Sequence, residues 1–169
     1  MPLPFATSPA ARPLTLSAWL PYRLFIVAAQ VARPLEIFYG ERFGLGQAGW
    51  RILAVIAERT GASASEIGRA CALDPFAVSR GIGQLVELGF AKRNTAKADR
   101  RFASIAITRS GQEAFGEIAA LGRAIETRLL ASLSDEERAS IDGALRKLEG
   151  ESARIEQAGW RGLLARTKS

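Results

Sequence analysis

The punctuation of residues 61–89 constrains this chain more than any other feature. Gly61 closes the segment before it, and Ser63 is followed three residues later by Glu66. That spacing is a capping box: the hydroxyl accepts from the third backbone N–H and the carboxylate reaches back to the first residue. It predicts a helix running to about Ala70, after which four residues, Cys71 to Asp74, turn the chain. Asp74-Pro75 sets an N-cap with proline at the first helical position, where a missing N–H leaves nothing unsatisfied. The helix that follows keeps Val78, Ile82, Leu85 and Leu88 on one face and stops at Gly89. Two short helices joined by a tight turn are a helix-turn-helix. Gly81 and Gly83 sit inside the second helix at a cost of about 1 kcal/mol each relative to Ala. Their expected use is close approach to a nucleic-acid backbone, or a softer helix.

The outer face of the second helix shows Phe76, Ser79, Arg80, Gly83 and Gln84. Small and polar residues with one Arg suit entry into a major groove. The chain then reads as extended over residues 90–93 and 102–107, where Ala103, Ile105 and Ile107 alternate with Phe102, Ser104 and Ala106. Between the two runs lies a basic tip, residues 94–101, so the pair is a hairpin, or wing. The net charge of +6 comes from 23 Lys+Arg against 17 Asp+Glu. Lys92, Arg93, Lys97, Arg100, Arg101 and Arg109, opposed only by Asp99, supply most of that excess. A basic cluster beside a groove-sized helix is the footprint of a polyanion, and a solvated loop is the competing reading.

Helical stripes flank this region. Leu20, Leu24, Val27, Val31, Leu35 and Phe38 step by three and four, a helix over residues 16–39 about 35 Å long that Pro34 is expected to bend or interrupt. A second helix is predicted from Gln47 to Arg59 with Trp50, Leu53, Ile56 and Ala57 on one face. After the hairpin, Thr108 caps a helix carrying Phe115, Ile118, Leu121, Ile125 and Leu129. Ser134 and Glu137 form another capping box before Ile141, Leu145, Leu148 and Ile155, and Trp160, Leu163 and Leu164 lie in the tail. These stripes exceed what a compact winged domain covers, so a second copy of the chain is expected.

Other features narrow the function. With no His and one Cys, a His-dependent catalytic site cannot form, and a metal site would need carboxylates and one thiol. No phosphate-cradling glycine loop or nucleophile–base pair is visible, so no enzyme, metal or cofactor is expected. Cys71 reads as a buried structural thiol in a reducing, cytoplasmic setting. Residues 1–15 hold four of the seven prolines and read as a flexible arm without secretory features. No run approaches the roughly 20 apolar residues of a membrane span.

The order of elements over residues 16–150 resembles the MarR family of bacterial transcriptional regulators. So do the strings Trp50-Arg-Ile-Leu53, Ser63 to Leu73, Val78-Ser-Arg80 with Leu85, Leu88 and Gly89, and Asp99-Arg-Arg101 before Ile105 to Thr108 and Gly111. The resemblance implies a mainly α fold with a small β-wing. In it, a winged helix-turn-helix spans about 47–108, and dimerisation helices span about 16–39 and 109–165, in one unit over 16–169. It implies a homodimer on a pseudo-palindromic double-stranded DNA operator, with two recognition helices in successive major grooves about 34 Å apart. Ser79, Arg80 and Gln84 would contact the groove, with Phe76 as an apolar or sugar contact. Arg101 would enter the minor groove, oriented by Asp99. Lys92, Arg93, Lys97 and Arg100 would meet phosphates, as would Ser63 and Ser65. The resemblance also implies a small-molecule effector. Arg23, Arg33, Arg42 and Arg51 with Trp19, Tyr22, Phe25, Phe38, Tyr39 and Trp50 are the candidates. Aromatic walls with Arg suit an aromatic carboxylate or an acyl-CoA thioester. The alternative is a winged-helix DNA- or partner-binding module without small-molecule control.

Overall fold

The computed structural model describes residues 14–59, 61–94 and 104–166. Its helices are α1 (Leu20–Phe43), α2 (Gln47–Glu58), α3 (Ala64–Cys71), α4 (Pro75–Glu87), α5 (Arg109–Leu130) and α6 (Asp135–Arg166). Three short strands, β1 (Ala62–Ser63), β2 (Ala91–Asn94) and β3 (Ser104–Ile107), pair antiparallel in the order β1-β3-β2. The chain divides into two compact units within α5, between Arg123 and Ala124.

In the first unit the caps form as their spacing dictates. Ser63 Oγ accepts from the Glu66 N–H at 3.3 Å, and Glu66 Oε2 accepts from the Ser63 N–H at 2.8 Å. The Glu66 carboxyl is thereby held below its usual pKa, chiefly by the Ser63 hydroxyl that donates to it. Ala72 takes the left-handed conformation (φ 51°) that ends α3. Asp74 Oδ1 accepts from the N–H groups of Phe76 and Ala77, both at 2.9 Å, and starts α4. Gly89, at φ 73°, ends the turn that leads into β2.

The core gathers Ile52, Leu53 and Ile56 from α2, Ile67 from α3, Ile82 and Leu85 from α4 and Ile118 from α5, each essentially inaccessible to solvent. Burial of such a side chain stabilises the fold by about 1.5–3 kcal/mol. Ile52 lies outside the face that the sequence pattern assigned to α2, and it explains Gly81. A Cβ on Gly81 would stand 2.5 Å from Ile52 Cδ1, so the glycine lets α4 approach α2 closely rather than serving a DNA backbone. Gly83 has open space around a Cβ. Leu88 is not a core residue: it is the C-cap of α4 and 40% exposed.

Three further outcomes differ from expectation. Helix α1 runs unbroken through Pro34 to Phe43. Both Pro34 and Gln30, whose carbonyl loses its donor to the proline, are exposed, so water can satisfy that carbonyl. Strand β1, two residues long, pairs Ala62 with Ile105. Phe90 stands before the hairpin strand, since β2 runs Ala91–Asn94, and residues 102–103 lie outside the described residues.

A clasp joins the end of α4 to the start of α5. The Thr108 and Ser110 hydroxyls both donate to the Gly89 carbonyl, at 2.6 and 2.8 Å, and Thr108 Oγ1 accepts from the Gly111 N–H. Gly111 is buried, and a Cβ there would overlap the Phe90 carbonyl oxygen.

In the second unit, Ser134 and Glu137 form the expected capping box, and Arg138 donates to the Leu130 carbonyl. Helix α6 breaks at Gly159 (φ 62°, ψ 170°), a conformation open to glycine alone. Ile141, Leu145, Leu148 and Ile155 stand 42–47% exposed along α6.

The glycines of α5 offer a paired test. Gly111→Ala forces backbone apart and should lower the unfolding free energy by about 1–3 kcal/mol. Gly116→Ala, on the same helix with open space around its Cβ, should raise it by about 0.5–1 kcal/mol. Urea unfolding of the two variants checks both signs.

Candidate nucleic-acid interface

The outer face of α4 is built from its cap outward. Asp74 fixes the first turn, which presents Phe76 at 70% exposure. One turn on, the Arg80 guanidinium carbon sits 5.7 Å from the Phe76 ring centre. The ring orders the guanidinium while leaving its donors free, which suits a bidentate contact to a base edge or phosphate. Ser79 is exposed beside it.

Ser79 also lines a hollow of about 440 Å³ between α3, α4 and the sheet, together with Ser65, Arg69 and Arg93. The hollow thus offers two guanidinium groups and two hydroxyls around apolar walls. Successive strand residues point to opposite faces. Arg93 shares the face of buried Ala91 and turns toward the hollow, whereas Lys92, paired with Ala106, lies on the other face. Both are exposed.

The two hydroxyls at the start of α3 fare differently. Ser63 is engaged in its capping box, so it has no free donor to offer a phosphate. Ser65 is exposed, and its Oγ accepts from Arg69 Nη1 at 2.9 Å. Arg69 and the exposed Asn94 are candidates that the sequence analysis missed. The signal for Arg69 was its position four residues after Ser65, on the same face of α3. Gln84 is corrected more sharply: its amide is half-buried and donates to the Gly44 carbonyl at 2.9 Å, so it folds back onto the chain. Lys97, Asp99, Arg100 and Arg101 lie outside the described residues.

The candidate effector residues divide between an aromatic stack and a hollow. Trp50 is stacked between Tyr39 and Phe115, with ring centres 6.0 Å from each. Phe38 packs edge-on against Phe43 at 5.8 Å. These rings fill space that a ligand would need. Arg42 is paired with Glu117 at 3.2 Å. Trp19, Tyr22 and Arg23 belong to the start of α1, where Tyr22 lies 6.4 Å from Phe25. A separate hollow of about 630 Å³ is lined by Phe25, Arg33, Glu36, Gln47 and Arg51 from α1 and α2.

Cys71 is 7% exposed, and burial pushes its thiol pKa up, with Arg51 opposing in part. Among the described residues no group of three His, Cys, Asp or Glu could hold a metal ion, and no helix is long and apolar enough to cross a membrane.

A capped two-helix turn, an exposed Arg-bearing second helix and an adjoining basic strand define a winged helix-turn-helix DNA-binding protein. The MarR family profile matches residues 43–101. A transcriptional regulatory protein for the hcr operon of Thauera aromatica, described as putative, is 31% identical over 119 residues, covering 70% of this chain and 69% of that protein. The HTH-type transcriptional regulator BilQ of Clostridium symbiosum is 28% identical over 93 residues, 55% of this chain and 65% of BilQ, so the chain spans just under two thirds of that relative. Among solved structures, a MarR/EmrR family regulator from Acinetobacter sp. ADP1 is similar with a TM-score of 0.73 and 24% identity, over 84% of this chain and all of that one. CouR from Rhodococcus jostii RHA1, bound to p-coumaroyl-CoA, is similar with a TM-score of 0.69 and 21% identity, over 80% of this chain and 95% of CouR. The chain belongs to the MarR family of transcriptional regulators.

The burial of Cys71 sets its chemistry. A raised pKa lowers the thiolate fraction near neutrality, and the thiolate is the reactive form. The native chain should react with a disulfide reagent at pH 8 about tenfold or more slowly than the urea-unfolded chain. Its rate should climb only at higher pH. Equal native and unfolded rates would contradict this.

Proposed function

We propose that this chain is a homodimeric repressor that holds a pseudo-palindromic operator and is released by a small aromatic acid or its CoA thioester. The observation that carries the reading is the exposed face of α4, where Arg80 is ordered over Phe76 beside Ser79 and the basic strand β2. In this reading α4 enters the major groove, Arg80 reads a base edge, and Lys92 and Arg93 meet phosphates. Lys97 and Arg100 would meet phosphates as well, and Arg101, oriented by Asp99, would enter the minor groove. Ser65 and Arg69 add contacts from α3.

The dimer is supported by apolar side chains left in solvent on both flanking helices: Leu20, Leu24 and Val27 on α1, and Ile141, Leu145, Leu148 and Ile155 on α6. Exposed stripes of this size are rare on monomers. In this reading the protein works in the cytoplasm with its DNA.

The effector reading narrows to Phe25, Arg33 and Arg51, the candidates that line one hollow. Its two arginines can take a carboxylate or phosphate, and Phe25 can take an aromatic ring. CouR, whose fold this chain shares, binds p-coumaroyl-CoA, which is the class proposed here. A ligand seated there would favour one spacing of the two recognition helices over another.

Duplex binding by fluorescence anisotropy tests the DNA reading. Arg80→Ala should weaken operator binding by about 1–3 kcal/mol and relax preference at one or two base pairs. Arg93→Ala should weaken binding to every sequence and flatten the salt slope by about one. Unchanged operator affinity in Arg80→Ala would contradict the reading. A thermal-shift screen of aromatic acids and aromatic acyl-CoA thioesters tests the effector. A true effector at about 100 times its Kd stabilises by about 2.7 kcal/mol, and Arg51→Ala should abolish the shift. A shift that survives Arg33→Ala and Arg51→Ala alike would place the ligand elsewhere. No shift with either class would favour a module without small-molecule control.

A further inference from the structure

Gln84 follows Arg80 by one turn of α4, yet its side chain turns away from that helix's outer face. Its Nε2 donates to the carbonyl of Gly44 at 2.9 Å. Gly44 is the left-handed cap of α1 (φ 66°, ψ 21°), and its own N–H is bound to the Gly40 carbonyl. Its carbonyl lies past the helix end, where α1 has no further N–H to offer it. The other half of the Gln84 carboxamide lies on α2: Gly49 is buried, and a Cβ there would stand 2.9 Å from Gln84 Oε1. One carboxamide therefore joins the end of α1, the first turn of α2 and the second half of α4.

The neighbouring contacts make that link matter. Gly81 seats α4 on Ile52 and Ala48 without a side chain of its own, and a Cβ added to Gly83 would meet nothing within 4 Å. Val78, Ile82 and Leu85 decide which side of α4 turns inward, while the glycine contacts add no side chain to hold its exact angle. A hydrogen bond is directional, with donor angles that fall off steeply. A glutamine that reads adenine must offer both Nε2 and Oε1 to the base edge. Here the first is bonded to Gly44 and the second rests against Gly49.

We propose that Gln84 is a positioning residue for DNA recognition: it latches α4 to the α1–α2 junction and holds the exact angle at which Phe76, Ser79 and Arg80 face out. It does not read bases. The proposal rests on the DNA-binding reading above. It also gives α1, one wall of the hollow holding Arg33, a direct polar link to the recognition helix.

Gly49 makes the latch testable from outside α4. Gln84→Leu keeps the apolar stem and removes the donor. Gly49→Ala displaces the carboxamide without substituting any α4 residue, its Cβ also pressing on Leu45 Cδ2 at 3.3 Å. The wild-type chain first selects a preferred duplex from a random pool. Anisotropy titrations then compare that duplex with each of its single-base variants for wild type, Gln84→Leu, Gly49→Ala and the double variant.

Each single substitution should weaken binding to the preferred duplex by about three- to tenfold, and any change in base preference should be the same in both variants. The double variant should be no more than about twofold worse than the weaker single, because both act on one contact. In ¹⁵N spectra of the free proteins, the amide signals of Phe76, Ala77, Ser79 and Arg80 should move in the same direction in both single variants. A loss of global stability alone would not produce that.

Altered preference at one or two base pairs in Gln84→Leu, with Gly49→Ala unchanged, would make Gln84 a base reader and overturn the proposal. Unchanged affinity, additive losses or unmoved α4 signals would overturn it too. If the wild type selects no duplex, the DNA-binding reading fails, and the spectra alone decide whether the latch exists.

Discussion

The face that α4 shows to solvent depends on how closely its other face approaches α2. That approach is permitted at Gly81, where a Cβ would meet Ile52 at 2.5 Å. Ile52 is fully buried, and Val78, Ile82 and Leu85 pack in the same core. With these positions turned inward, helical geometry leaves Phe76, Ser79 and Arg80 outward. The glycine costs helix propensity, and the core contacts it allows offset that cost. Asp74 and Ser63 hold the two helix starts, so the turn between α3 and α4 has little freedom.

The sheet extends this arrangement to the charge. The hydroxyls of Thr108 and Ser110 converge on the Gly89 carbonyl, which ties the exit from α4 to the start of α5 and closes β2 against β3. Strand alternation then sends Arg93 toward α4 and Lys92 to the opposite face. Arg69 from α3 and Arg93 from β2 flank the hollow beside Ser79. Electrostatic attraction to a polyanion and a groove-sized helix thus share one side of the first unit, and neither would discriminate sequences without the other.

The helix starts were legible in the sequence because each rests on one side chain and one backbone target a few residues away. Ser63–Glu66, Asp74–Pro75, Thr108 and Ser134–Glu137 all behave so. What was not legible depends on partners distant in sequence. Strand β1 is too short for periodicity and exists through its pairing with β3. The reason for Gly81 lies on α2. A helical wheel places Gln84 near Arg80, but no local rule says that its long side chain folds back to Gly44. The aromatic residues misled for a related reason. The resemblance made Tyr39 and Trp50 effector candidates, whereas they stack on each other and Trp50 stacks on Phe115. Serine was ambiguous in the same way: a cap and a phosphate contact ask for the same hydroxyl, and Ser63 is taken by the cap.

The central claim is that the first unit meets DNA through the exposed faces of α3, α4 and β2. Amide hydrogen exchange of the free chain, and of the chain saturated with its selected duplex, tests it most directly. The account predicts added protection in α3, the first two turns of α4 and β2, with no comparable change in the part of α2 that lies under α4. Protection confined to other segments, with the exchange of α4 unchanged by DNA, would contradict it.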